Sequence, residues 1–361
     1  MRQLFLSTLV LLLNFNLYAQ ETPIIEFSCP SVSTQNRLPA TATEDVFYID
    51  DDDENLILYR GSTEGITETQ LPIDGGALEY KLSPSGDYLA ILTLDSNVNL
   101  LIFDISEGLI QDYVTTVEIT SVFRLVWLDD NNIRINESTS TARIKSHTLN
   151  IETGDIIVSL VDLSSIIETD NLNYVYSPDM RYLGFFSQSH FNVATVSDNN
   201  IVYATDIFDY YNTLSSTVWS PSSREVLIYT SEWLILDLNS QETEPLPTVP
   251  NYDFSYPIWS PDSESIAFLG TRLPRERPNV LSDLILYKRS QNTLVDLCQS
   301  GMFFINGVQN DVDWSSDGRW LAYIMETLEG LNLYAIDLNN NIIATIELRS
   351  TGSVPRLLGW R

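Results

Sequence analysis

A short phrase recurs along this chain at intervals of 40–55 residues, an apolar strand-like run follows each full copy, and the two chain ends hold complementary fractions of one more repeat. Together these observations predict an all-β fold: a seven-bladed β-propeller of four-stranded antiparallel blades, its ring closed by N-terminal strands plus the C-terminal strand.

The phrase is a large residue, Ser-Pro, a polar pair, then a strand. It reads Leu82-Ser83-Pro84-Ser85-Gly86 before Tyr88–Leu92, and Tyr176-Ser177-Pro178-Asp179 before Tyr182–Phe186. It returns as Trp219-Ser220-Pro221-Ser222, Trp259-Ser260-Pro261-Asp262 and Trp314-Ser315-Ser316-Asp317-Gly318. A degenerate copy starts at Trp127, and Trp360 stands alone near the end. The anchors Leu82, Trp127, Tyr176, Trp219, Trp259, Trp314 and Trp360 are separated by 45, 49, 43, 40, 55 and 46 residues. One four-stranded blade occupies about 40–50 residues. In each copy a strand ends on a large residue that packs between sheets, and Pro, Asp and Gly then suit a tight turn.

A second phrase follows each anchor by roughly 20 residues: an apolar strand ending in Asp or Asn, then a polar hairpin turn. Examples are Leu101–Asp104, Leu149-Asn150, Leu234–Asp237 and Leu333–Asp337. These read as third strand, turn and fourth strand. At the N-terminal side, Val46–Ile49, Leu56–Tyr59 and Thr67–Leu71 are strand-like with no anchor before them, whereas Val354–Trp360 is an anchor strand with nothing after it. Joining the two completes a blade and removes open edges.

Residues 1–19 read as a signal peptide: Arg2, the apolar run Leu4–Phe15, and Ala19 as the small residue before cleavage. The run is too short to span a membrane comfortably, and no second hydrophobic segment follows, so no integral membrane segment is expected in the mature chain. The domain plan is then 1–19 signal, 20–44 N-terminal extension and 45–361 propeller, in a periplasmic or extracellular protein. Asp and Glu number 49 against 19 Lys and Arg, a net charge of −30. Such a surface repels nucleic acid and anionic lipid, which require Lys and Arg to neutralise them. It favours solubility, and cations or basic partners. Cys29 and Cys298 are the two cysteines; in an oxidising compartment they can pair, or both can stay free.

The Trp-Ser-Pro-Asp phrase and the run Ser316-Asp317-Gly318-Arg319-Trp320-Leu321-Ala322-Tyr323 resemble the WD-like repeats of the TolB family of β-propellers, over about residues 45–361. Similar repeats occur in the propeller domain of the prolyl oligopeptidase family. TolB-like proteins carry an α/β domain before the propeller, for which some 25 residues leave no room. The peptidases need a hydrolase domain with a G-x-S-x-G elbow, which this chain lacks. The resemblance implies an exported platform for a protein partner, and not a peptidase.

No cofactor motif is present, and two Cys and two His (His147, His190) so far apart give no metal site. Neither His has a nucleophile motif near it, so both read as structural or surface residues. The run Asp50-Asp51-Asp52-Asp53-Glu54 lacks calcium-loop spacing and reads as a solvated hairpin turn, with Ca²⁺ binding the weaker alternative. Asn136-Glu137-Ser138 is a glycosylation sequon, meaningful in a host that glycosylates. The enzymatic alternative is a glycan-active hydrolase with two carboxylates about 5–10 Å apart in the central channel. Against it, Asp104, Asp237, Asp337, Asp179, Asp262 and Asp317 are explained by turns.

The longest repeat runs from Trp259 to Asp313. It carries Arg272, Arg275 and Arg277 in an insert between its second and third strands. The linking segments Asn251–Ser255 plus Tyr256 and Gln299–Asp311 emerge on the same face, bringing Tyr252, Phe254, Tyr256, Phe303 and Phe304. Arg with aromatic residues is the composition of interface hot spots, so these eight residues are the expected partner-binding patch.

Overall fold

The computed structural model describes residues 25–52, 55–71, 73, 77–94, 98–114, 122–138, 143–162, 164, 174–187, 190–206, 217–272, 281–303, 305–306, 309–310, 312–327, 330–348 and 355–361. The signal-like residues 1–19 lie outside the described residues, as do Arg275, Arg277 and Phe304. Among the described residues the chain is nearly all strand, and its one helical piece is a single 3₁₀ turn at Arg289–Gln291. No described helix is long and apolar enough to cross a membrane.

Consecutive strands pair antiparallel into four-stranded sheets. Four of these span 77–114, 122–162, 174–206 and 217–245. A fifth joins Arg356–Trp360 to Val46–Asp52, Asn55–Gly61 and Ile66–Leu71, with Val46 opposite Trp360. The C-terminal strand thus completes the N-terminal sheet, as the two fragments of a repeat require. Eight strands from Tyr252 onward join the N-terminal strands Ile25–Phe27 and Ser31–Gln35 in a ten-stranded sheet, and Ile305–Asn306 pairs separately with Gln309–Asn310. Within the ten-stranded sheet, 252–303 and 312–347 each pair in the same four-strand order, and they meet where Met302 and Phe303 pair with Glu326 and Met325.

The repeated phrase closes by local chemistry. Ser177, Ser260 and Ser315 donate their hydroxyls to Asp179, Asp262 and Asp317 at 2.7, 2.6 and 2.6 Å. The same oxygens accept the backbone N–H of Tyr182, Ser265 and Trp320. Three residues after the Ser the backbone is left-handed in every full copy: Gly86, Met180, Ser223, Ser263 and Gly318 have φ between 59° and 81°. Gly fits there without strain, and the three other residues are held by the turn. At the opposite hairpins, Asp104, Asn150, Asp237 and Asp337 each accept two backbone N–H groups from the turn that follows. Turn hydrogen bonds hold the Asp104 carboxyl below its usual range; burial opposes this at Asp337, but Arg319 and Asn340 outweigh it.

The anchors join sheet to sheet. Each indole donates to the carbonyl just before the preceding or neighbouring anchor: Trp127 to Lys81, Trp219 to Val175, Trp259 to Val218, Trp314 to Ile258 and Trp360 to Asp313, at 2.9–3.3 Å. Leu82 cannot donate, and there Arg361 Nε reaches the Ser83 carbonyl at 2.8 Å. The series therefore runs from sheet to sheet and returns to the first repeat through the C-terminus. Leu82, Trp219, Trp259, Trp314 and Trp360 are buried, while Trp127 and Tyr176 are half-buried.

Several expectations change. The N-terminal extension is not bare: Ile25–Phe27 adds in parallel to Leu294–Asp296, and Ser31–Gln35 adds in parallel to Ile342–Thr345. Asp50 and Asp52 are not in a turn but in strand, opposite Ile57 and Asn55, and Asp50 is buried; Asp53 and Glu54 lie outside the described residues. Tyr252–Tyr256 and Gln299–Phe303 are strand, not linkers, because the sheet of this longest repeat runs further than the others. His190 opens a strand. Position between repeats marked 252–256 and 299–303 as linkers, and pairing with neighbouring strands overrode it.

Candidate functional site: the Arg272–Tyr252 end of the longest repeat

The extra strand length of 252–303 carries a polar knot. Tyr252 opens the first strand, Arg272 ends the second directly opposite it, Asp283 is the second residue of the third and Ser300 lies late in the fourth. All four therefore meet at one end of the sheet. Arg272 Nε donates to Tyr252 Oη at 2.6 Å and to Asp283 Oδ2 at 3.2 Å, and Tyr252 Oη donates to the same Oδ2 at 2.9 Å. Ser300 Oγ donates to Asp283 Oδ1. The guanidinium stands 5.5 Å from the Tyr252 ring centroid, and Tyr252 stacks on Phe254. Asp283 is buried, whereas the Arg272 side chain remains 67% exposed.

One strand further, Asp296 is also buried and accepts the Cys298 N–H at 2.7 Å. Burial pushes its carboxyl pKa up, and the nearby Asp283 charge adds to the push. Burial likewise raises the Tyr252 phenol, helped by Asp283. Cys298 has φ 57°, and the register slips between Asp283 and Ile285, so the strand bulges here. Cys298 is disulfide-bonded to Cys29, with the Cα atoms 5.0 Å apart, which pins the N-terminal strands against this sheet. Leu281, next to Arg272 across the hairpin, and Phe27, opposite Asp296, are both exposed.

Of the eight residues expected to form the patch, three come together: Arg272, Tyr252 and Phe254. Phe254 is half-buried against Phe268, and its carbonyl accepts the Trp233 indole N–H at 2.8 Å. Tyr256 and Phe303 are half-buried against the apolar cluster shared with the next sheet, Phe303 lying 5.8 Å from Tyr323. Arg275, Arg277 and Phe304 lie outside the described residues. Sequence reasoning missed Asp283, Asp296 and Ser300. A carboxylate near the start of the strand that follows the Arg-ended one was the available signal for Asp283; the register slip hid the others.

Acids on the anchor strands are the other place for chemistry. Glu79 Oε2 accepts the backbone N–H of Leu125 on the neighbouring sheet at 3.0 Å. Asp313 is sunk against Gly359, whose missing Cβ leaves room for the carboxylate, and it accepts backbone N–H groups of Trp314 and Trp360. Burial raises both pKa values, and Lys81 pulls against it in both cases. Each carboxylate spans two adjacent sheets. His147 Nε2 lies 3.7 Å from Glu137 Oε2 in the sheet interior, and burial lowers its pKa. No group of three or more metal-ligating side chains occurs among the described residues.

Among solved structures, an oligogalacturonate lyase from Vibrio parahaemolyticus matches 87% of this chain and 90% of its own length, at TM-score 0.57 and 14% identity. The tricorn protease matches 89% of the chain over 36% of its own length, at TM-score 0.53 and 11% identity. These neighbours share one architecture. The chain is a β-propeller. TolB from Acinetobacter baumannii also aligns, over 90% of the chain and 68% of its own, at 11% identity and TM-score 0.48. No protein-family model matches the propeller, and no curated protein matches it by sequence. At these identities the likeness extends to the fold alone.

Proposed function

We propose that this is an exported, seven-bladed propeller that acts as a non-enzymatic binding module for a protein partner, through the Arg272–Tyr252 end of its longest repeat. Splitting the ten-stranded sheet where Phe303 meets Met325 yields two blades, which with the five separate sheets makes seven. The signal-like N-terminus and the Cys29–Cys298 bond both suit an oxidising compartment.

One observation carries the binding reading. The acids of this sheet end and of the anchor strands are engaged within the fold: half-buried Glu79 accepts the Leu125 N–H of the next sheet, half-buried Asp313 accepts those of Trp314 and Trp360, buried Asp296 accepts that of Cys298, and buried Asp283 binds Tyr252, Arg272 and Ser300. What remains outward is an exposed guanidinium on an aromatic ring, beside exposed Leu281 and Phe27. That is a hot-spot composition with little catalytic capacity.

The test is capture of partners from the native envelope or secretome by the full chain, against Arg272→Glu and the double variant Arg275→Glu/Arg277→Glu. A specific partner bound about tenfold or more weakly by the variants supports the reading. A partner held equally by all three overturns the location. Glycan cleavage by the purified chain, lost in Glu79→Gln or Asp313→Asn, overturns the non-enzymatic reading itself.

A further inference from the structure

The outer strand of each sheet has one free edge, and this molecule deals with those edges in distinct ways. Thr243–Pro245 is short, ends in Pro and is exposed throughout. Ile66–Leu71 is mostly polar, with Thr67, Glu68, Thr69 and Gln70 in its middle. Leu109–Val114 carries Asp112, and Ile201–Asp206 receives Gln241 Nε2 on its Val202 carbonyl. The outer strands 293–297 and 342–346 are each covered by a parallel strand from the N-terminal segment. Short, charged, proline-bearing or covered edges are the standard protections against strand addition.

The strand Ile156–Asp162, sequence Ile-Ile-Val-Ser-Leu-Val-Asp, is not short, proline-bearing or covered by another strand, and its one charge is the terminal Asp162. It is the last strand of its sheet, and among the described residues it pairs only with Arg143–Asn150. Ile156, Ile157, Val158 and Leu160 are 49, 68, 55 and 58% exposed. By sequence it belongs with the covered strands, but among the described residues no strand covers it, and only Asn199 Nδ2 reaches its end, donating to the Asp162 carbonyl at 3.2 Å.

We propose that its occupant is a second copy of the same strand, paired antiparallel about Ser159 to make a two-fold symmetric dimer with one eight-stranded sheet across both copies. An isologous contact needs a self-complementary surface. Centred on Ser159, the pairing sets Val158 opposite Leu160 and Ile157 opposite Val161 of the second copy. Ile156, Val158 and Leu160 point to one face because they alternate along the strand. Six aliphatic side chains from the two copies then form one band.

Charge agrees with this direction. Lys145 and Arg143 lie beside the Leu160–Asp162 end of the strand, and Arg143 already pairs with Asp162 at 2.9 Å. Glu152 and Asp155 lie before the Ile156 end. Antiparallel pairing brings the basic end of each copy to the acidic end of the other, twice, whereas parallel pairing sets like against like. The strand carries no other charge, which matters between two chains of net charge −30. The four exposed side chains offer roughly 400 Å² per copy, about half of a standard interface side, so the dimer is expected in the micromolar range.

The test is sedimentation of the full chain from about 1 to 100 µM, around the expected dissociation constant, together with the variants Ser159→Cys and Leu160→Lys. The expected result is a concentration-dependent dimer. Mild oxidation should cross-link the Ser159→Cys dimer through the new thiols, and Leu160→Lys should leave a monomer with unchanged thermal unfolding. A monomer at every concentration overturns the proposal. So does a dimer that survives Leu160→Lys, or a Ser159→Cys dimer that oxidation fails to cross-link. Loss of the Arg272 partner with the dimer intact would leave this inference standing.

Discussion

Two seams between adjacent sheets of this propeller are built on different physics. Between the sheets spanning 217–245 and 252–303, Leu227, Trp233, Ile235, Trp259, Ile266, Phe268 and Ile285 form one apolar cluster. Its two indoles donate to backbone carbonyls across the seam, and Arg289 clamps Glu225 with two hydrogen bonds at 3.0 and 2.8 Å while lying over Trp259. Between 122–162 and 174–206 the anchor is Tyr176, and the seam holds buried Asn136, Ser146 and Tyr174 beside Ile144 and Leu183. Ser146 Oγ donates to Asn136 Oδ1 at 2.7 Å, and Tyr176 faces Ser146 and Arg134, which offset part of the upward push of burial on its phenol. The first seam is held by area and a few indole bonds. The second spends buried surface on polar groups that must find partners. One repeat thus tolerates two solutions, because the anchor supplies a large ring in both and only the polar tip differs.

Four substitutions sharpen or break that contrast. Trp259→Ala empties the apolar seam and removes a hydrogen bond, and it should cost about 3–5 kcal/mol in urea unfolding. A loss below about 1 kcal/mol would mean the seam collapses around the gap. Asn136→Ala takes away the acceptor of the buried Ser146 hydroxyl and should cost about 1–3 kcal/mol by the same measurement. Tyr174→Phe removes a buried hydroxyl with no hydrogen-bond partner among the described residues, and unfolding should shift by less than about 1 kcal/mol, towards greater stability. A large destabilisation there would make the polar seam as demanding as the apolar one.

The smallest effect is expected from pH. His147, on the opposite face of the 122–162 sheet, has its pKa lowered first by burial and then by Lys145. Its folded form resists a proton that the unfolded chain accepts. Its contribution is therefore complete above the ordinary histidine pKa and is lost as pH falls below it. Urea midpoints at pH 7 and pH 5 should differ less for His147→Gln than for the wild type. An equal difference would show that other groups set the acid side.

Much of the architecture was legible because it is local. Each Ser-Pro-Asp turn is closed by hydrogen bonds spanning two to five residues, as between Ser260, Asp262 and Ser265, so the pattern survives in any copy that keeps those residues. The Asx turns at Asp104 and Asp237 are equally short-range. The site was read only in part. Arg272, Tyr252 and Phe254 were found from composition, but Ser300 and Asp296 flank a register slip in the pairing with the Asp283 strand, which no spacing announces.

By itself, the sequence determined the repeat, its turns, the anchors and the pairing of the two chain ends, because each rests on contacts between near neighbours or on a fragment needing its complement. The tertiary structure alone decided that Ile25–Phe27 and Ser31–Gln35 cover two outer edges, that Cys29 meets Cys298 across 269 residues, and that no strand among the described residues covers Ile156–Asp162. An outer edge accepts any extended segment through its backbone, and backbone pairing leaves little trace in side chains. Which segment reaches which edge depends on where the whole ring brings them together.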